Sequence, residues 1–114
     1  MKTFIQTIWV MLIASAIIFM PSFAYAAEIT MGSDGNLVFA PNELSIAAGE
    51  SVTFTNGDLP PHNVVFLGHE ELSHPDLAFM SGEQFPVTFD KAGDYEFQCE
   101  PHAGAGMKGV IHVQ

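Results

Sequence analysis

From Ala27 onward the apolar residues recur with a period of two rather than 3.6, the mark of strands that bury one face. Ile29 and Met31 alternate with polar neighbours, and Ser33-Asp34-Gly35-Asn36 is a turn signal. Leu37-Val38-Phe39 is a short strand closed by Pro41-Asn42, and Leu44 and Ile46 alternate before Ala48-Gly49-Glu50. Val52 and Phe54 face one way, Thr53 and Thr55 the other. Asn56-Gly57-Asp58 turns the chain, Pro60-Pro61 stiffens it, and His62 to Phe66 reads as a strand. Gly68 to Asp76 is the least strand-like stretch, a loop with one helical turn around Glu70 to Ser73. Phe85, Val87 and Phe89 alternate, Asp90-Lys91-Ala92-Gly93 turns the chain, and strands follow over Asp94 to Cys99 and Lys108 to Val113. Met31 and Met80 read as core. Short strands at roughly 8–12-residue spacing predict an antiparallel β-sandwich or barrel.

The first 26 residues break that pattern. Lys2 precedes an apolar run from Ile8 to Met20, Pro21 and Ser22 interrupt it, and Ala24-Tyr25-Ala26 is a small-x-small cleavage site. These features predict a signal peptide, 1–26, cut before Ala27. The run is shorter than the roughly 20 residues of a spanning helix. No Arg-Arg pair points to twin-arginine export. Residues 27–114 then form one domain.

Charge narrows the partners. The chain has 13 acidic and 3 basic residues, and only Lys91 and Lys108 are basic after residue 26, leaving a net charge of −11 there. Such a surface repels nucleic acid and anionic lipid and favours a partner with a basic face. It excludes stable membrane insertion once the leader is removed, and the expected state is a monomer. The single cysteine allows no internal disulfide. In an exported protein a lone thiol is either deeply buried or in use.

The candidate chemistry lies in Cys99-Glu100-Pro101-His102-Ala103-Gly104-Ala105-Gly106-Met107. Tyr95, Phe97 and Cys99 share the inward face of their strand, so Cys99 points inward at its very end. Pro101 stiffens the backbone before His102, and the glycines let Met107 return over the same point. A lone buried cysteine is more often a small hydrophobe, but His102 and Met107 at this spacing favour a metal site. Among the other histidines, His112 lies between inward Ile111 and Val113 and should face solvent, and His69 and His74 lie in the irregular stretch. His62, at a strand start behind two prolines, is the best-placed fourth ligand. Asn63 either bonds across to the Cys99 loop as an outer support or is an ordinary strand-edge residue.

Thiolate, two imidazoles and a weak thioether form the blue-copper donor set. Zinc gains little from the thioether, so methionine favours copper. An enzyme is disfavoured: four ligands saturate one metal and leave no place for substrate, and Cys99 ends a strand rather than starting a helix, the common setting of a low-pKa thiol.

With these residues in view, the chain resembles the plastocyanins, of cyanobacterial type, across essentially all of 27–114. Pro60-Pro61-His62-Asn63-Val64-Val65-Phe66 and Cys99-Glu100-Pro101-His102 through Gly104-Ala105-Gly106-Met107-Lys108-Gly109 match that family's two ligand segments. Leu72-Ser73-His74 and Met80-Ser81 resemble its middle region. The resemblance implies an all-β, eight-stranded antiparallel Greek-key sandwich with copper at one end, held by His62, Cys99, His102 and Met107. It also implies an electron carrier of the thylakoid lumen that takes electrons from cytochrome f of the cytochrome b6f complex and delivers them to photosystem I. The docking patch it implies is Gly35, Leu37, Pro61, Gly104 and Ala105 around the edge of His102, with Ala103 extending it. The single leader suggests a cyanobacterium or a phage of one.

Three departures stand out. Gln98 replaces the family's usual Tyr before the copper cysteine, Ala103 stands where cyanobacterial members often carry Arg, and Leu67 to Asp76 is short. The short stretch does not map the acidic patch of plant members; the resemblance offers Glu70, Glu71 and Asp76 as partial substitutes. Competing readings are another periplasmic cupredoxin, pseudoazurin- or halocyanin-like, serving a respiratory chain, and a copper chaperone. Amicyanin has a shorter gap than His102 to Met107, and chaperone sites are more exposed and richer in Met or His.

Overall fold

The computed structural model describes residues 27–114; the leader expected over 1–26 lies outside the described residues. Two sheets face each other. One has the strand order β2-β1-β4-β7, built from Ala27–Ser33 (β1), Asn36–Ala40 (β2), Ser51–Asn56 (β4) and Gln84–Thr88 (β7). The other runs β3-β9-β8-β5-β6, from Glu43–Ile46 (β3), Lys108–Val113 (β9), Gly93–Gln98 (β8), His62–Phe66 (β5) and His74–Ala78 (β6). The all-β sandwich expected from the alternation is therefore present. Among the described residues no helix is long and apolar enough to cross a membrane.

Two details differ from the eight antiparallel strands of the expectation. Among the described residues there are nine, because His74–Ala78, whose first residues were expected to be loop, pairs antiparallel with β5 through His62↔Ala78 and Val64↔His74. Pro75 and Asp76 hide this strand from periodicity, since its hydrogen bonds depend on a non-local partner. Two pairings are also parallel, β1 with β4 and β3 with β9. The chain reaches each of these pairs by crossing between layers rather than by a hairpin. The helical turn expected near Glu70 is a 3₁₀ turn, Glu70–Leu72.

The alternating positions meet between the sheets. Ile29, Met31, Val52, Phe54, Val64, Phe66, Phe97 and Ile111 are all essentially buried. Phe97 lies among three other rings, with centroids 4.7 Å from Phe39, 5.6 Å from Phe54 and 5.5 Å from Phe66. These edge-on and tilted geometries suit the ring quadrupoles. Met80 does not join this core: it is 70% exposed. It lies in the β6–β7 connection, where Asn56 Nδ2 donates to its carbonyl at 2.9 Å and to that of Ala78 at 3.1 Å. The backbone of that connection is anchored while the thioether is left outside.

Candidate metal centre

Three donors converge at one end of the sandwich. His62, Val64 and Phe66 share the inward face of β5, and Tyr95, Phe97 and Cys99 that of β8 and its extension. The pairings Val65↔Gln98 and Phe66↔Phe97 place these strands side by side. Cys99 Sγ lies 3.7 Å from His62 Nδ1 and 3.5 Å from His102 Nδ1. The donor atoms of His62, Cys99 and His102 all lie within 4.8 Å of one another. Three of the four expected ligands, His62, Cys99 and His102, are thus brought together from two segments, His62 and Cys99 lying 37 positions apart in the chain.

The loop after Cys99 closes on itself. A 3₁₀ turn, Glu100–Ala105, begins with Pro101 in its first turn and ends at Gly106, whose φ of 90° is left-handed. His102 N–H donates to the Cys99 carbonyl at 3.1 Å, Met107 N–H to the His102 carbonyl at 3.2 Å, and Cys99 N–H to the Met107 carbonyl at 3.1 Å. This ring of backbone bonds holds Met107 beside Cys99, and its side chain is fully buried. His112 lies on the outer face, away from this centre, between Glu43 and Asp94. His74 stacks on Phe85 at 3.9 Å, and His69 packs near Tyr95.

Tautomer and charge suit a soft cation. His62 Nε2 is 2.6 Å from the Asp58 carbonyl, which can only accept, so Nε2 carries the proton and Nδ1 presents its lone pair toward Cys99. Burial lowers the His62 pKa, opposed by that hydrogen bond and aided by the nearby His102, which keeps the ring neutral and able to bind metal. Burial pushes the Cys99 thiol above its ordinary value, with N–H groups of Asn63 and His102 pulling the other way. A thiolate here needs a cation to offset its desolvation. One sulfur and two imidazole nitrogens, with Cys99 and His62 buried and His102 partly so, fit copper by the softness of the donor set.

Outer groups lock the centre. Asn63 is buried; its Nδ2 donates to Glu100 Oε1 and to the Pro75 carbonyl, both at 3.0 Å, while its Oδ1 accepts the Glu100 N–H at 2.8 Å. Asp58 meets His62 through its backbone carbonyl, and the sequence marks it only as part of a turn. No local signal identifies its carbonyl as the partner of His62. Gly32, equally unmarked, has φ of 82°, and a Cβ there would overlap the Asp58 carbonyl and crowd His62 Nε2. Its place after Met31 in an alternating strand is the one hint that a backbone approaches closely.

Of the residues the resemblance places at a docking patch, Gly35, Gly104 and Ala105 are exposed, and Leu37, Pro61 and Ala103 are partly so. The sequence profile of the copper binding proteins, plastocyanin/azurin family, matches residues 26–114. A chloroplastic plastocyanin of Physcomitrium patens is 46% identical over 90% of this chain and 67% of its own. Plastocyanin A/B of Petroselinum crispum is 46% identical over 76% of this chain and 99% of its own. The solved structure of oxidized plastocyanin from Dryopteris crassirhizoma superposes with a TM-score of 0.70 at 31% identity, covering 77% of this chain and all of that one.

Proposed function

The chain belongs to the plastocyanin/azurin family of copper-binding proteins, and from that premise we propose a one-copper electron carrier between cytochrome f and photosystem I. The observation that carries the reading is the convergence of His62 Nδ1, Cys99 Sγ and His102 Nδ1 on one point, with His62 and Cys99 buried and His102 partly so. Met107, buried and tied by its backbone to Cys99 and His102, would complete the donor set with a weak thioether sulfur. Copper supplies the one-electron couple. The chain's own residues would limit donor movement between copper's oxidation states: β5 and the end of β8 hold His62 and Cys99, the backbone ring holds Met107, and Asn63 ties the two segments. Small ligand movement means a small reorganisation barrier. No open coordination position or substrate cleft belongs to this reading, so it is not enzymatic.

His102 is the exit. It is only partly buried, beside exposed Gly104 and Ala105. A small apolar face around one ring edge suits brief docking and fast release. The net acidic surface steers the carrier toward basic-faced partners. Cleavage before Ala27 would deliver residues 27–114 to the thylakoid lumen or periplasm as a monomer.

Titration of the purified protein with copper(II), read by visible absorption, tests the site. An intense blue band saturating at one copper per chain is expected; folded protein without that band would overturn it. Electron-transfer kinetics with cytochrome f and photosystem I at rising ionic strength test the partners. The rates should be fast and salt-dependent; slow, salt-independent transfer would favour a respiratory partner instead.

A further inference from the structure

Asp58 joins the β1–β2 turn to the His62 ring. Its N–H donates to the Gly32 carbonyl at 2.9 Å, next to the bond from Gly57 N–H to the Met31 carbonyl at 2.9 Å. Its carbonyl accepts the His62 Nε2–H at 2.6 Å. Its carboxylate Oδ2 accepts the Gly35 N–H at 3.0 Å. Asp34 and Gly35 both have positive φ, 53° and 72°, the pattern of a two-residue turn in which the second central N–H points away from the hairpin. That N–H is the one the carboxylate caps.

We propose that Asp58 is a positioning residue for His62, its carboxylate anchoring the peptide whose carbonyl sets the tautomer and ring angle of that ligand. The role rests on His62 being a copper ligand. The carboxylate bonds the Gly35 N–H while the carbonyl bonds the His62 ring, so the side chain acts through its own backbone. Without the cap, residues 57–59 lose a tie to the β1–β2 turn, and the Asp58 carbonyl is free to drift from Nε2. Groups that orient a ligating histidine in this way are commonly worth 10–100-fold in metal affinity. The same residue also links the ligand to Gly35, so a partner pressing on that turn would press on the support of His62.

The test compares Asp58→Ala, which removes the acceptor, with Asp58→Asn, which keeps an acceptor oxygen and removes the charge. In metal-free full-length protein, long-range proton–nitrogen spectra report the His62 tautomer and the exchange of its Nε2 proton. Asp58→Ala should speed that exchange about tenfold, the equivalent of one hydrogen bond, and admit some Nδ1–H form; Asp58→Asn should restore the parent behaviour. In copper-loaded protein the midpoint potential should shift in Asp58→Ala and recover in Asp58→Asn. Equal shifts in both variants would assign the effect to charge alone and overturn the proposal, as would parent-like exchange in Asp58→Ala. Should Asp58→Ala fail to fold, Asp58→Glu keeps the charge and misplaces the oxygen; altered exchange supports positioning, unaltered exchange overturns it. The metal-free readout does not depend on copper, so a failed blue band would sink the copper reading while leaving the hydrogen-bond result standing.

Discussion

Asn63 and Glu100 bind each other twice, the Asn63 Oδ1 accepting the Glu100 N–H at 2.8 Å and its Nδ2 donating to Glu100 Oε1 at 3.0 Å. The same amide reaches the Pro75 carbonyl at 3.0 Å. One buried side chain thus joins β5, β6 and the turn that carries His102. Replacing Asn63 with Leu would leave the Glu100 N–H and the Pro75 carbonyl without this partner. The expected cost is about 2–4 kcal/mol, measured by urea denaturation of metal-free protein. Glu100→Gln, which keeps both contacts, should cost less than about 1 kcal/mol on the same scale.

Met107 and Cys99 separate two properties of the centre. Met107→Leu fills the same buried space and leaves two imidazoles and a thiolate, so copper should still bind at one per chain with a changed midpoint potential. Cys99→Ser should abolish the blue band, because the intense colour needs a sulfur donor. Absorption and potentiometry on the two variants read both outcomes, and a blue band surviving in Cys99→Ser would remove Cys99 from the ligand set.

His112 should make stability depend on pH. Its Nδ1 is 2.7 Å from Asp94 Oδ1 on β8 and its Nε2 is 2.8 Å from Glu43 Oε1 on β3. Only the imidazolium donates from both nitrogens at once, and the two carboxylates raise its pKa above the ordinary value. The stabilisation is therefore complete below the unfolded-state value of about 6.5 and is lost as pH rises through the higher folded-state value. His112→Ala should narrow the stability gap between mildly acid and mildly alkaline solution. Denaturation midpoints of parent and variant at two pH values, one on each side, measure it. A variant with the parent's pH dependence would show that the contacts contribute nothing.

Phe97 carries the largest packing prediction. It is 1% exposed and lies against Phe39, Phe54 and Phe66. Phe97→Ala would open a cavity two residues before Cys99. A loss of about 3–5 kcal/mol is expected, read by chemical denaturation. Copper binding by whatever fraction stays folded should be weaker, since β8 holds Cys99.

Local chemistry made much of this protein readable in one dimension. Alternation follows directly from the pleat, so Ile29 and Met31, Val52 and Phe54, and Tyr95, Phe97 and Cys99 declared their buried faces. The spacing of Cys99, His102 and Met107 lies within one loop, and a loop with Pro101 and Gly106 has few ways to fold. The features that chain order could not reveal depend on partners far away. His74–Ala78 is a strand only because β5 lies beside it, and the connection that leaves Met80 exposed is held by Asn56, 24 residues before it. The parallel pairing of β1 with β4 and of β3 with β9 is a choice of neighbours, which side-chain alternation does not encode. His112 meets carboxylates 18 and 69 positions away. The hold of Asp58 on His62 runs through a carbonyl that every residue type possesses, so only the folded backbone could assign it.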